Sequence, residues 1–197
     1  MEKARVIRAA YSSLGAREKD PSSEGLLERV YDENVSFFCP RSLCVFLPVS
    51  AVEEGVRLDG TDVILVGESI KKHLAGASHA LIQAFTLGAL ADKRIKELSY
   101  ARPSESVALD AIASVYAECA ADELLRKEKA ALEENYTFNF RFCPGYGDLP
   151  LSVNADLARA LLAAKKIGLS VTEGGLLLPR KSVVGLCGAF DKKPTGE

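Results

Sequence analysis

From Ser104 to Leu124 the apolar residues Leu109, Ile112, Ala113, Tyr116, Ala120 and Leu124 recur at helical spacing along one side. That stripe predicts a long helix starting at Ser104 or Ser106. Its many alanines keep the contact face shallow, so the helix can press closely against a sheet or a second helix. A chain carrying such an element must supply a broad apolar surface to receive it. Strand-like segments occur on both sides of it. His79 to Thr86 reads as a buried strand, Val35 to Val49 is rich in β-branched and aromatic residues, and Tyr136 to Arg141 alternates like a strand. Pro40 and Pro48 are expected to limit the second of these to short or edge pieces.

The remaining segments fill in around this frame. Val6, Ile7, Ala10, Tyr11 and Leu14 predict an opening helix closed at Gly15, and Asp20-Pro21 offers a cap for a second helix carrying Leu26, Leu27, Val30 and Tyr31. Asp62 to Val66 is a brief strand candidate. Ser69 is placed to cap a short helix through Leu74, and a further helix is expected from about Ala89 to Tyr100. Asn154 is placed to cap the last helix, with Leu157, Leu161 and Ala164 inward and Gly168 as its left-handed terminator. Val171–Leu178 and Ser182–Phe190 are expected to pair as a terminal hairpin across Pro179-Arg180-Lys181, with Gly174-Gly175 as a bulge. Irregular alternation of helices and strands with a terminal hairpin favours α+β over a doubly wound sheet.

Length and composition exclude several classes. A chain of 197 residues, 48% hydrophobic and 26% charged, fits one globular domain spanning 1–197, with a helical segment over about 1–34 and a flexible polar tail over about 191–197. The net charge of −2 argues against nucleic acid as a partner. No apolar run approaches the ~20 residues that a membrane-spanning helix needs. The five cysteines (Cys39, Cys44, Cys119, Cys143, Cys187) are odd in number and scattered, which suits free thiols in a reducing cytoplasm. Cys39 and Cys44 lack the second pair that a zinc site requires, and His73 and His79 are badly spaced for one, so no metal site is expected. Neither a Walker A loop nor a dinucleotide fingerprint occurs.

One segment carries chemistry. Arg141-Phe142-Cys143-Pro144-Gly145-Tyr146-Gly147-Asp148-Leu149-Pro150 sets a cation, a rigid turn and an aromatic ring at fixed offsets after a strand. Arg141 suits a carboxylate, which guanidinium grips through two parallel hydrogen bonds. Pro144-Gly145 would shape a loop with exposed backbone groups. Glu134, upstream, would bring negative charge towards a cationic ligand. Cys143 has no histidine nearby in sequence to activate it and reads as packing.

This segment, with Ile167-Gly168-Leu169-Ser170-Val171-Thr172-Glu173 and Leu178-Pro179-Arg180-Lys181-Ser182-Val183, resembles the reactivation (activation) domain of cobalamin-dependent methionine synthase. The likeness is strongest to the stand-alone members of that family, whose opening Tyr11-Ser12-Ser13-Leu14-Gly15 also matches. Similarity is best from about Thr137 to Gly188 and extends more thinly over Gly67 to Leu132, including Thr86-Leu87-Gly88 with Asp92 one helical turn on. The resemblance implies a mixed or antiparallel twisted sheet with flanking helices and a C-terminal hairpin. It also implies reductive rescue of a stalled cobalamin enzyme, made irreversible by methyl transfer from S-adenosylmethionine. On it, Arg141, Pro144, Gly145, Tyr146 and Glu134 would hold S-adenosylmethionine, with Tyr146 against the corrin or the ligand. Cobalamin would be carried by a partner, a corrinoid methionine synthase lacking its own activation domain, and electrons would come from a flavodoxin- or ferredoxin-type donor. The chain departs from the fused enzyme in one respect: Phe37-Phe38-Cys39-Pro40 stands nearest to an aromatic segment that there bears a ligand-binding aspartate, and it lacks the acid. That departure leaves an alternative, a non-enzymatic module that caps a corrinoid protein.

Overall fold

The computed structural model describes residues 2–15 and 21–192. A mixed α+β architecture results, with one antiparallel sheet as its middle layer. Eight strands form among the described residues: β1 (Arg41–Val52), β2 (Gly55–Leu58), β3 (Ile64–Val66), β4 (His79–Thr86), β5 (Tyr136–Phe138), β6 (Ser170–Val171), β7 (Leu177–Leu178) and β8 (Ser182–Asp191). Six of them make the main sheet in the order β3-β2-β1-β4-β8-β5, and β6 and β7 pair separately. Seven α-helices are present among the described residues: α1 (Lys3–Ser13), α2 (Pro21–Asn34), α3 (Glu68–His73), α4 (Ala89–Ala101), α5 (Pro103–Leu132), α6 (Val153–Ala160) and α7 (Ala163–Ile167).

The sheet is covered on both faces, and β4 shows why. Alternate residues of a strand point to opposite faces. Ala80, Ile82 and Ala84 enter a core with Ile70, Leu157, Leu161 and Ile167 from α3, α6 and α7. Phe85 enters the other core, beneath α1, α2, α4 and α5, with Leu109, Ile112, Ala113, Ala117 and Ala121 from the long helix. A strand apolar on both sides needs both layers, so β4 is central. The alanines of α5 let that helix lie close to the sheet, as its sequence leads one to expect.

Three local expectations are corrected. Pro48 does not break β1, which runs unbroken over 12 residues. It sits where β1 leaves its β4 ladder, which ends at the Pro48–His79 pair, and enters its β2 ladder, which starts at the Val49–Leu58 pair. A missing N–H costs little at such a handover. The terminal hairpin exists, but between β6 and β7. Ser182–Asp191 joins the main sheet between β4 and β5 instead, and Gly174-Gly175 lies in the β6–β7 turn. The last helix is divided: Leu162 at φ 54° separates α6 from α7. Gly168 ends α7 in the left-handed region, where glycine has no Cβ to clash.

The expected cap at Asp20 and the tail beyond residue 192 lie outside the described residues. Asp191 itself ends β8. Among the described residues no helix is long and apolar enough to cross a membrane.

Candidate functional site

A cleft of about 440 Å³ opens at the N-terminal end of β8. Its origin is a vacancy in the sheet. β5 covers β8 only at Ala189–Asp191, and the chain continues beyond it as a single bridge, Phe142 to Leu186. The Leu186 N–H donates to the Phe142 carbonyl at 2.9 Å, and the Phe142 N–H to the Leu186 carbonyl at 2.8 Å. By the two-residue alternation of an antiparallel strand, the backbone groups of Val184 face the same side as those of Leu186. Ser182, Val183 and Val184 therefore form the floor. Pro144, Tyr146 and Leu151 make one wall, Leu176, Leu177 and Arg180 the other, and Glu118 reaches in from α5.

The segment after Arg141 folds into a closed loop. Gly145 N–H donates to the Leu149 carbonyl at 2.9 Å, Tyr146 N–H to the Cys143 carbonyl at 3.0 Å, and Leu149 N–H to the Tyr146 carbonyl at 3.1 Å. Gly145 at φ 93° and Gly147 at φ 55° make this tightness possible. Of the backbone groups expected to meet a ligand, the Gly145 N–H is thus spent within the turn, as is that of Tyr146.

Arg141 has a different environment from the one its sequence suggests. Nη2 donates to Glu118 Oε2 at 2.6 Å, and Nη1 lies 2.9 Å from Asp122 Oδ1 and 3.1 Å from Gln83 Oε1. Its side chain is only 9% exposed, against 60% for Glu118. The guanidinium is thus already held, and what it presents to the cleft is an oriented Glu118. Glu118 and Asp122 together leave one negative charge in excess there.

Tyr146 is half exposed and packs edge-on against Phe142, ring centres 5.6 Å apart. The neighbouring Cys143 thiol, burial and the Glu118 carboxylate all push its phenol up, so the ring acts as a surface and its hydroxyl stays protonated near neutral pH. Burial is the main cause that raises Cys143, which leaves a protonated thiol rather than a nucleophile. Cys44, half-buried, is pushed up to about 12, chiefly by desolvation.

Glu134 is not brought to this place. It follows the C-terminus of α5, next to Asn135, whose carbonyl accepts from the Lys192 N–H. That is the far end of β8, roughly 25–30 Å along the strand from the cleft floor at ~3.3 Å per residue. Phe37 and Phe38 are also elsewhere: Arg94 lies over the Phe37 ring, and Phe38 is buried against Tyr116. Lys181 is buried on Asp110 and Ser114, each at 2.8 Å, so of the basic pair Arg180-Lys181 the arginine alone is exposed. Among the described residues no group of three or more His, Cys, Asp or Glu side chains is disposed to hold a metal ion.

Two side chains that hold the walls escape a local reading of the sequence. Asn154 is not a helix cap. It lies inside α6, buried, and donates through Nδ2 to the Gly175 carbonyl at 2.9 Å, tying α6 to the β6–β7 turn. Asp148 does the capping that Ser69 was expected to do: its carboxylate accepts from the backbone N–H groups of Glu68 at 2.6 Å and Ser69 at 2.9 Å. Those bonds, Ser69 first and Glu68 second, hold Asp148 below its ordinary value of 3.8. Its contribution to stability is therefore complete above pH 3.8 and fades as pH falls through the lower folded value. Asp148→Asn is expected to flatten this part of the acid-unfolding curve, which circular dichroism between pH 2 and 5 would show. An unchanged acid limb would mean the cap carries no pH dependence.

No protein-family model matches the sequence, and a search of curated proteins finds no match. Among solved structures the chain is similar to the MetH reactivation domain bound to AdoHcy, with a TM-score of 0.67 and 16% sequence identity. The alignment covers 96% of this chain and 77% of that one. The chain thus shares the mixed α+β fold of that domain.

Proposed function

We propose that this chain is a stand-alone member of the methionine synthase reactivation family. It binds S-adenosylmethionine in the cleft beside Tyr146 and presents the methyl group to a cobalamin enzyme in the cytoplasm. The observation that carries this reading is the cleft itself. In a fold like that of a domain solved with AdoHcy, the Arg141–Pro150 segment forms one wall of a cavity open at a sheet edge. Its volume lies in the range usual for a small-molecule ligand.

The residues present fit such a ligand. Pro144, Tyr146, Leu151 and Leu177 offer apolar surface, and the excess negative charge at Glu118 and Asp122 favours a sulfonium. Gly145 shapes the turn that places Tyr146, and Arg141 enters by fixing Glu118. Glu134 has no part in this version of the site. Positioning is the whole of the chemistry asked of these side chains. Cobalamin, carried by a corrinoid methionine synthase without its own activation domain, would supply the metal centre that accepts an electron and then the methyl group. A flavodoxin- or ferredoxin-type donor would provide the electron. Tyr146, Leu151, Leu176 and Leu178 leave exposed apolar surface around the mouth, suited to a docked partner.

Calorimetric titration with S-adenosylmethionine should give saturable binding in the micromolar range. Stalled methionine synthase mixed with reductant, S-adenosylmethionine and this chain should regain methylcobalamin absorbance, and should not without the chain. A second reading is favoured by the occupied guanidinium of Arg141 and the acid missing near Phe38: a cap that shields a corrinoid protein and binds no methyl donor. It expects no heat in the titration while binding to the corrinoid protein persists. A chain that neither binds the donor nor the corrinoid protein excludes both.

A further inference from the structure

We infer that Arg180, on the rim of the cleft, is the residue that takes the carboxylate of the bound methyl donor. This rests on the methyl-donor reading above and assigns a group that Arg141 leaves unassigned. Three carbonyl or carboxylate oxygens already meet the Arg141 guanidinium, and its side chain is almost wholly covered. A ligand carboxylate placed there would have to displace Glu118 or Asp122 and would meet their negative charge.

Across the cleft the situation is reversed. Arg180 lines the cavity, is exposed, and makes no ion pair with any described residue. Its backbone is nevertheless fixed on both sides. The Arg180 N–H donates to Asp92 Oδ2 at 2.6 Å, and the next residue, Lys181, is anchored to Asp110 and Ser114. An unpaired guanidinium on an anchored backbone is a preorganised anion receptor, because its planar fork matches a carboxylate. The cleft is therefore bipolar, with excess negative charge on the α5 side and a free cation on the β7–β8 side. A ligand with a cationic sulfonium and a carboxylate at the end of a short chain matches that pattern.

The test uses two ligands and the full chain. S-adenosylmethionine and its decarboxylated analogue differ by the carboxylate alone at that end. Wild type is expected to prefer S-adenosylmethionine by roughly ten- to a hundredfold, the worth of a charge-assisted hydrogen bond. Arg180→Gln should lose that preference by weakening S-adenosylmethionine and leaving the analogue's affinity as it was. Arg180→Lys should restore part of it, keeping the charge without the fork. If Arg180→Gln keeps the full preference, or weakens both ligands alike, the carboxylate is bound elsewhere and the assignment fails. If wild type binds S-adenosylmethionine with no preference over the analogue, no residue reads the carboxylate and the assignment also fails. If wild type binds neither ligand, the methyl-donor reading fails first and this one with it. The side chain is exposed and the Asp92 bond is made by the backbone, so the variants should melt with wild type.

Discussion

Arg141→Ala should lower stability by about 2–4 kcal/mol, seen as a melting temperature roughly 5–15 °C below wild type for a chain of this size. Three losses add. Gln83 is fully buried, and its Oε1 would lose its donor while the bond from Nε2 to the Ala121 carbonyl at 2.9 Å survives; an unpaired buried oxygen costs about 1–3 kcal/mol. Glu118 and Asp122, left without their common cation, would repel each other. Both are more than half exposed, so solvent screening keeps that part to about 1 kcal/mol or less. The aliphatic stem also packs over Gly185, and its removal loosens the contact. Adding Glu118→Gln and Asp122→Asn should recover the repulsive share and not the Gln83 share. A variant that melts with wild type would show the guanidinium to be structurally idle and free for a ligand. Thermal unfolding followed by circular dichroism decides between these.

The legible parts of the chain were those whose signal is local and strong. β4 is a buried run, apolar from Ala80 to Phe85 except for Gln83, and α5 carries its stripe over several turns, so both follow from periodicity. Errors arose where a partner distant in sequence overrides a local rule. Pro48 is harmless because two different strands meet β1 at that point, which no window of residues around it reveals. Proximity alone would pair Val171–Leu178 with Ser182–Phe190, whereas β4 offers the latter a full-length buried ladder. The cap of α3 comes from Asp148, some 80 residues away, and no residue near Ser69 announces it. For the site, the loop and its wall were legible and the state of Arg141 was not. A signal did exist: Glu118 and Asp122 stand four apart on α5, close to the alanines that bring that helix against the sheet, and Arg141 follows β5 as the cation that meets them.

Gly185→Ala tests how tightly the site depends on this packing, and it should cost about 1–3 kcal/mol together with ligand binding. A Cβ at Gly185 would lie 2.8 Å from Arg141 Cγ, 2.9 Å from Cys143 Sγ and 2.9 Å from the Phe142 carbonyl oxygen. Two of these are side chains that can shift, but the third is backbone, and it accepts the Leu186 N–H that forms the bridge. Making room therefore pushes the strand carrying Arg141 away from β8, withdraws the guanidinium from Glu118, and widens the cleft at its floor. Gly174→Ala is the matching control. A Cβ there meets only Thr172 Oγ1, at 4.0 Å, so that variant should melt with wild type and bind like it. Combining Gly185→Ala with Cys143→Ala removes one of the three clashes and should recover only part of the loss, since the carbonyl remains. Full recovery would place the strain in the thiol, and an undisturbed Gly185→Ala would mean that Arg141 and β8 are not in the contact on which the cleft's charge arrangement depends.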